Sequence, residues 1–218
     1  MSIRRKAAAN QDTIFLDPIA PFRLDLTVWA LRRRAENEID RWDGATYRRV
    51  LVVDGEPLEV AVAQIGTLDS PRLEATVAGA DTNVTIRKAV ISILNDTLGL
   101  QVDLSKFYRF SMRHPKLDSL VRRFRGMRPP RFPSVFEALI NAIACQQISL
   151  SAGIQLLNRL SRGCGVGLIQ NDYVTHAFPR PQDVAQRDPE SLRLLGFSRQ
   201  KSSPFTGELA VGMVMLGL

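Results

Sequence analysis

The sequence predicts an α+β fold: a small antiparallel sheet with helices on one side, followed by an all-helical segment. Three observations carry this. Tyr47 to Val53 is a β-rich run that stops at Asp54-Gly55, and Leu58, Val60 and Val62 then alternate, which is the pattern of a hairpin. Between Val84 and Leu98, residues Ile86, Val90, Ile91 and Leu94 fall at helical intervals, and Gly99 stops them. Beyond Asp103 the apolar spacing is helical and no strand pattern is read. The expected division is an α+β domain over 1–103 and a partial helical domain over 104–218.

Residues up to about Pro18 show no sustained periodicity and are expected to be loose. Phe22, Leu24, Leu26 and Val28 alternate, which predicts a half-buried strand, and Trp29 to Ile39 then reads as a helix with Arg32, Arg33 and Arg34 partly exposed. Leu73 to Val77 is a shorter strand ending near Gly79. Leu104 to Phe124 begins the helical part, with Phe107, Phe110, Leu117, Leu120 and Val121 as expected core contacts.

The stretch from Arg122 to Gly165 organises the rest. It opens as a basic loop stiffened by prolines. Ser134 stands three residues before Glu137, the spacing of a capping box. Val135, Phe136, Leu139, Ile140 and Ile143 then give one helix a buried face. The pattern breaks at Gln146-Gln147. Ser149 is placed to cap a second helix, whose stripe is Leu156, Leu157 and Leu160 and whose end is marked by Gly163 and Gly165.

Composition narrows the class. The chain has 218 residues, an apolar content of 45% and a net charge of +7. That excess favours a polyanionic partner without separating nucleic acid from an anionic membrane. Cys145 and Cys164 fit no metal spacing and are too few for a disulfide framework, so a reduced, cytoplasmic setting is the simplest reading. The basic start is followed by no apolar signal segment, and no apolar run is long enough to span a bilayer. His114 and His176 lie far apart and form no triad or metal constellation, and no two acidic residues pair at a catalytic spacing.

Between Arg113 and Arg131 there are seven basic residues and one acidic residue. Such a run is commonly a solvated face. Here Pro129, Pro130 and Pro133 stiffen the loop, so Arg125, Arg128 and Arg131 would be held ready to grip phosphate oxygens at little further entropy loss. Gln146 and Gln147 would serve equally to satisfy a turn between two helices. Ser149 reads as a helix cap ahead of a nucleic-acid contact, with both roles open to it. Arg199 and Lys201 follow Gly196, the stop of a helix that begins at Asp188 and Pro189; they are either helix-end charges or further phosphate contacts.

Two blocks, GMRPPRFPSVFEALINAIACQQIS from Gly126 to Ser149 and FPRPQDVAQRDPESLRLLGFSRQK from Phe178 to Lys201, resemble the helix-hairpin-helix DNA glycosylases, most closely the alkylbase type, 3-methyladenine DNA glycosylase II. The resemblance implies base-excision repair: the enzyme bends duplex DNA, flips an alkylated base into an aromatic cleft and cuts its N-glycosidic bond. It places a wedge at Pro129, with Met127 or Phe132 as alternatives because proline is short. It sets Gln146 and Gln147 beside the space the flipped base vacates, where amides donate and accept. It implies no metal or redox cofactor, and two cysteines cannot hold the four-cysteine iron–sulfur cluster of some members. The implied partner is double-stranded DNA carrying alkylated bases.

In that family a G-x-G hairpin and a catalytic aspartate follow these blocks, and the 218 residues reach Leu218 without them. Asp172, Asp183 and Asp188 match no family motif, so no catalytic residue is assigned and the chain is expected to be inactive alone. Two rival readings stand beside the glycosylase: a non-catalytic protein that marks distorted DNA, and an α+β interaction module that the helical part only stabilises.

Overall fold

The structure is a computed structural model that describes residues 3–5, 11–79, 83–129, 131–170 and 173–198. Its elements, in order, are β1 (Ile3–Arg5), β2 (Asp12–Leu16), α1 (Leu24–Arg32), β3 (Arg41–Trp42), β4 (Thr46–Val53), β5 (Glu56–Gln64), β6 (Leu73–Ala78), α2 (Val84–Thr97), α3 (Ser105–Ser111), α4 (Pro115–Arg123), α5 (Val135–Cys145), α6 (Leu150–Cys164), β7 (Gly167–Gln170), β8 (Tyr173–His176), α7 (Pro181–Ala185) and α8 (Pro189–Leu194). The fold is α+β, with a five-stranded antiparallel sheet ordered β2-β6-β5-β4-β3.

The β4–β5 hairpin turns at Asp54-Gly55 with both φ angles positive, 50° and 81°, as a two-residue primed turn requires. Leu58, Val60 and Val62 bury on one face, where Val28 and Leu31 of α1 and Val90 and Leu94 of α2 complete the first core. Asn83 caps α2 by accepting from the Ile86 amide.

Three expectations about the first half of the chain are corrected. Residues 24–32 form a helix, not a strand: burial of Leu24, Thr27, Val28 and Leu31 follows the 3.6-residue period, which a short alternating run fits equally well. Gln64 sets the helix start by accepting from the Leu24 amide at 2.8 Å. The helix stops at Arg32, well before Ile39, because Arg33 turns the chain at φ 63°. Residues 12–16 are an edge strand on β6, with Ile14 and Leu16 buried and Phe15 exposed.

The second half is not all-helical. β7 and β8 form a hairpin, and β1 pairs in parallel with β7 to make a three-stranded sheet. Four-residue strands are too short to show an alternation against the glycines around them. On α3 and α4, Phe107, Phe110 and Leu120 are 45%, 54% and 55% exposed and Leu117 and Val121 half-buried, so they are not core contacts among the described residues.

Helices α5 and α6 build a second core through Phe136, Ile140 and Ala144 against Ile154, Leu157 and Leu160, closed by Phe178, Val184, Leu192 and Phe197. Val135 and Leu139, expected in the buried face of α5, are exposed. Ser134 accepts from the Glu137 amide at 3.1 Å, but the Glu137 carboxylate does not return to the cap. It is drawn into a buried ion pair with Arg49 of β4 at 2.5 Å. Arg49 also donates to Asp40 at 2.8 Å, and Asp40 accepts from the Tyr47 hydroxyl. Burial opposes the charge on both partners of that pair. It pushes the Glu137 carboxyl up, while Glu137 and Asp40 together hold Arg49 above its usual range.

Candidate nucleic-acid interface

Two exposed segments of the helical half lie side by side. The first is the loop leading into α5. Gly126 begins it at φ 90°, where an added Cβ would come within 3.0 Å of the Arg23 amide nitrogen, so only glycine fits. Its amide donates to the Tyr108 hydroxyl and its carbonyl accepts from Arg23, which clamps the loop base to the start of α1. Pro129 and Arg131 are exposed beyond it, and Met127 and Phe132 are half-buried. Pro130 lies outside the described residues.

Arg128 is the principal correction. Expected to grip phosphate, it is 0% exposed. Its amide donates to Thr27 Oγ1, its Nη2 donates to the Ile19 carbonyl at 2.5 Å, and its guanidinium lies 5.7 Å from the Phe22 ring centroid. Desolvation lowers its pKa against the pull of Tyr108 and Asp103. Its role in this structure is to pin the loop against the sheet half. Arg125 is exposed but paired with Asp69 at 2.7 Å, so part of its charge is already compensated. Arg131 makes no ion pair among the described residues.

The second segment is the turn between α5 and α6. Gln146, Gln147, Ile148 and Ser149 are all exposed. Gln147 adopts φ 56°, a left-handed conformation that glutamine takes at a cost. Ser149 caps α6 by accepting from the Ala152 amide at 3.2 Å. The turn is tight because Gly153 lets the helices approach: a Cβ there would sit 2.6 Å from Cys145 Sγ. The remaining amides at the start of α6, a helix of 15 residues, leave a positive helix end next to the two glutamines.

Arg33 joins the two segments. Its Nη2 donates to Asn141 Oδ1 at 2.6 Å, its Nη1 reaches Cys145 Sγ at 3.9 Å, and its guanidinium lies 5.8 Å from the Phe132 ring centroid. Sequence reasoning missed it: three consecutive arginines in an expected helix carry no mark of which one turns inward. Arg199, Lys201 and Asp172 lie outside the described residues.

Beside the loop runs an apolar groove of about 400 Å³ whose lining includes Phe107, Tyr108, Leu120, Phe124, Met127 and Pro129. Trp29 of α1 is 62% exposed and stacks on Phe124 with ring centroids 6.2 Å apart. No helix among the described residues is long and apolar enough to cross a membrane.

No family model matches the chain. A DNA-3-methyladenine glycosylase of Bacillus subtilis (strain 168) is 26% identical over 121 residues, which is 56% of this chain. The chain spans 40% of that relative's length. Among solved structures, a 3-methyladenine DNA glycosylase from Archaeoglobus fulgidus superposes with a TM-score of 0.77 at 24% identity, covering 90% of this chain and 68% of the other. The 8-oxoguanine glycosylase/lyase of Clostridium acetobutylicum, solved with double-stranded DNA containing cytosine opposite 8-oxoG, superposes with a TM-score of 0.64 at 14% identity, covering 98% and 67%.

Proposed function

We propose that this chain, whose fold is that of the helix-hairpin-helix DNA glycosylases over the part it spans, recognises damaged duplex DNA in base-excision repair of the alkylbase type. The observation that carries the reading is the juxtaposition of two exposed elements. A loop presenting Pro129 and Arg131 and a polar turn presenting Gln146 and Gln147 are both reached by Arg33, through Phe132 and through Cys145.

Each element has a chemical task. Arg131, with Arg125 once it releases Asp69, neutralises phosphates and fixes register without reading sequence. The Ser149 end of α6 offers amides and a positive dipole to a backbone phosphate. Pro129 is stiff and exposed, which suits a wedge inserted at a base step, and unstacking there kinks the duplex. The glutamine amides both donate and accept, so they satisfy the base left unpaired opposite the gap. An alkylated purine carries positive charge, and the exposed rings of Trp29 and Phe107 attract such a ring. Hydrolysis of the N-glycosidic bond is the reaction in which this recognition step serves, and the residues named here are assigned to binding alone.

The division into 1–103 and 104–218 is retained as part of the proposal, supported by a first core drawn wholly from the sheet half; the second, between α5 and α6, also takes in Ile39. The test is anisotropy titration of the chain onto methylated and unmethylated duplex of the same sequence at two salt concentrations. Tighter binding to methylated duplex, weakening as salt rises, is expected. Equal, salt-independent titrations would refute the reading. A parallel assay for free methylated bases separates a glycosylase from a protein that only marks damage.

A further inference from the structure

We propose that Arg33 is a positioning residue that locks the 126–134 loop to the Gln146–Gln147 turn, so that a distorted duplex is met by both at once. The last clause rests on the DNA-binding reading above; the lock itself rests on geometry.

Arg33 directly follows α1 and adopts φ 63°, a conformation that non-glycine residues hold only where their surroundings over-determine it. Here the surroundings are three contacts from one side chain. Asn141 Nδ2 donates to the Glu137 carbonyl at 2.9 Å, which orients its Oδ1 toward Arg33 Nη2 at 2.6 Å. Arg33 Nη1 reaches Cys145, the residue immediately before Gln146. The guanidinium face also lies over Phe132, the residue immediately after Arg131. One rigid, planar cation therefore touches the neighbour of each exposed element. A flexible point charge would reach one of them and not the other. Among the described residues Arg33 Nε is buried without a hydrogen-bond partner, and the two Nη groups carry the contacts.

Arg49 supplies the control. It grips the same helix at Glu137, and among the described residues its hydrogen bonds go to Glu137 and Asp40 and not to Phe132 or the glutamine turn. A merely structural arginine would behave as Arg49 does when removed. A lock would release both exposed segments together and leave the sheet alone.

The experiment is amide hydrogen exchange on the 218-residue chain as wild type, Arg33→Met, Arg33→Lys and Arg49→Met, with each variant also titrated onto duplex carrying one extrahelical base and onto its fully paired counterpart. Arg33→Met should speed exchange by about fivefold or more, the low end of ordinary coupling between sites, at both Arg131–Phe132 and Gln146–Ser149 with β4 and β5 unchanged. It should also cut the preference for the distorted duplex by a similar factor, about fivefold. Arg33→Lys keeps a donor for Asn141 but loses the ring contact, and should release the loop alone; if the methionine variant fails to fold, this one decides. Arg49→Met should leave the Phe132 loop protected. Faster exchange confined to the turn, or spread evenly over the chain, would overturn the lock. Coupled release in a chain whose wild type does not prefer distorted duplex would uphold the lock and refute the DNA-binding reading.

Discussion

Arg49 Nη2 donates to Glu137 Oε2 across 2.5 Å, and this one buried contact joins the interior strand β4 to the first turn of α5. It places the sheet half under the helix whose far end carries Gln146. Glu137→Ala leaves Arg49 paired with Asp40 but removes one charge-assisted buried hydrogen bond, so it should cost about 1.5–3 kcal/mol of unfolding free energy. Urea denaturation of the variant is the check, and a loss below about 1 kcal/mol, the range of a surface pair, would mean that the pair is solvated.

Arg128 should behave as a structural residue. Arg128→Ala removes a buried hydrogen bond to Ile19 and the packing on Phe22, and should cost about 1–3 kcal/mol or more of stability. Measured on the folded fraction, its salt dependence of duplex binding should match wild type. A flatter salt slope at unchanged stability would show that the guanidinium leaves the core to meet phosphate.

Arg131 should give the opposite result. Arg131→Ala takes away an exposed, unpaired cation and should lower the slope of log affinity against log salt by about one unit, equally for damaged and undamaged duplex. Stability in urea should stay within about 0.5 kcal/mol of wild type, as for other surface substitutions. An unchanged slope would remove Arg131 from the interface.

Gln147 separates strain from recognition. At φ 56° glycine is at ease, so Gln147→Gly should leave stability unchanged or raise it by about 1 kcal/mol. The same change deletes the amide that the proposed function assigns to an unpaired base, so preference for distorted duplex should fall while affinity for paired duplex holds. A variant that keeps the full preference would assign recognition elsewhere.

The hairpin at Asp54-Gly55 and helices α2, α5 and α6 were legible in the sequence because local signals agreed there: a primed-turn dipeptide, Ser134 and Ser149 as caps, and glycines after α2 and α6. The strands β7 and β8 were hidden because four-residue strands carry too few positions to set a period, although Asn171-Asp172 between two β-rich runs is a turn signal that would have found them. The stretch from Phe22 to Val28 went wrong because Leu24 and Val28 satisfy both periods, and Gln64, forty residues away, decides by capping the helix. Of the site, composition exposed the loop and the two glutamines. It did not reveal that Arg128 points inward, because burial of an arginine depends on Thr27, Ile19 and Phe22, which only the fold brings to it.

The central claim is that duplex DNA meets this chain along the Arg131 loop, the Gln146–Gln147 turn and the first turn of α6. The most direct measurement is a titration of the labelled chain with duplex carrying one extrahelical base, followed by amide chemical-shift mapping. Shifts should concentrate at Met127–Phe132 and Gln146–Gly153 and leave the β4–β5 hairpin at Asp54-Gly55 unmoved. Shifts centred on that hairpin, or none at saturating duplex, would contradict the account.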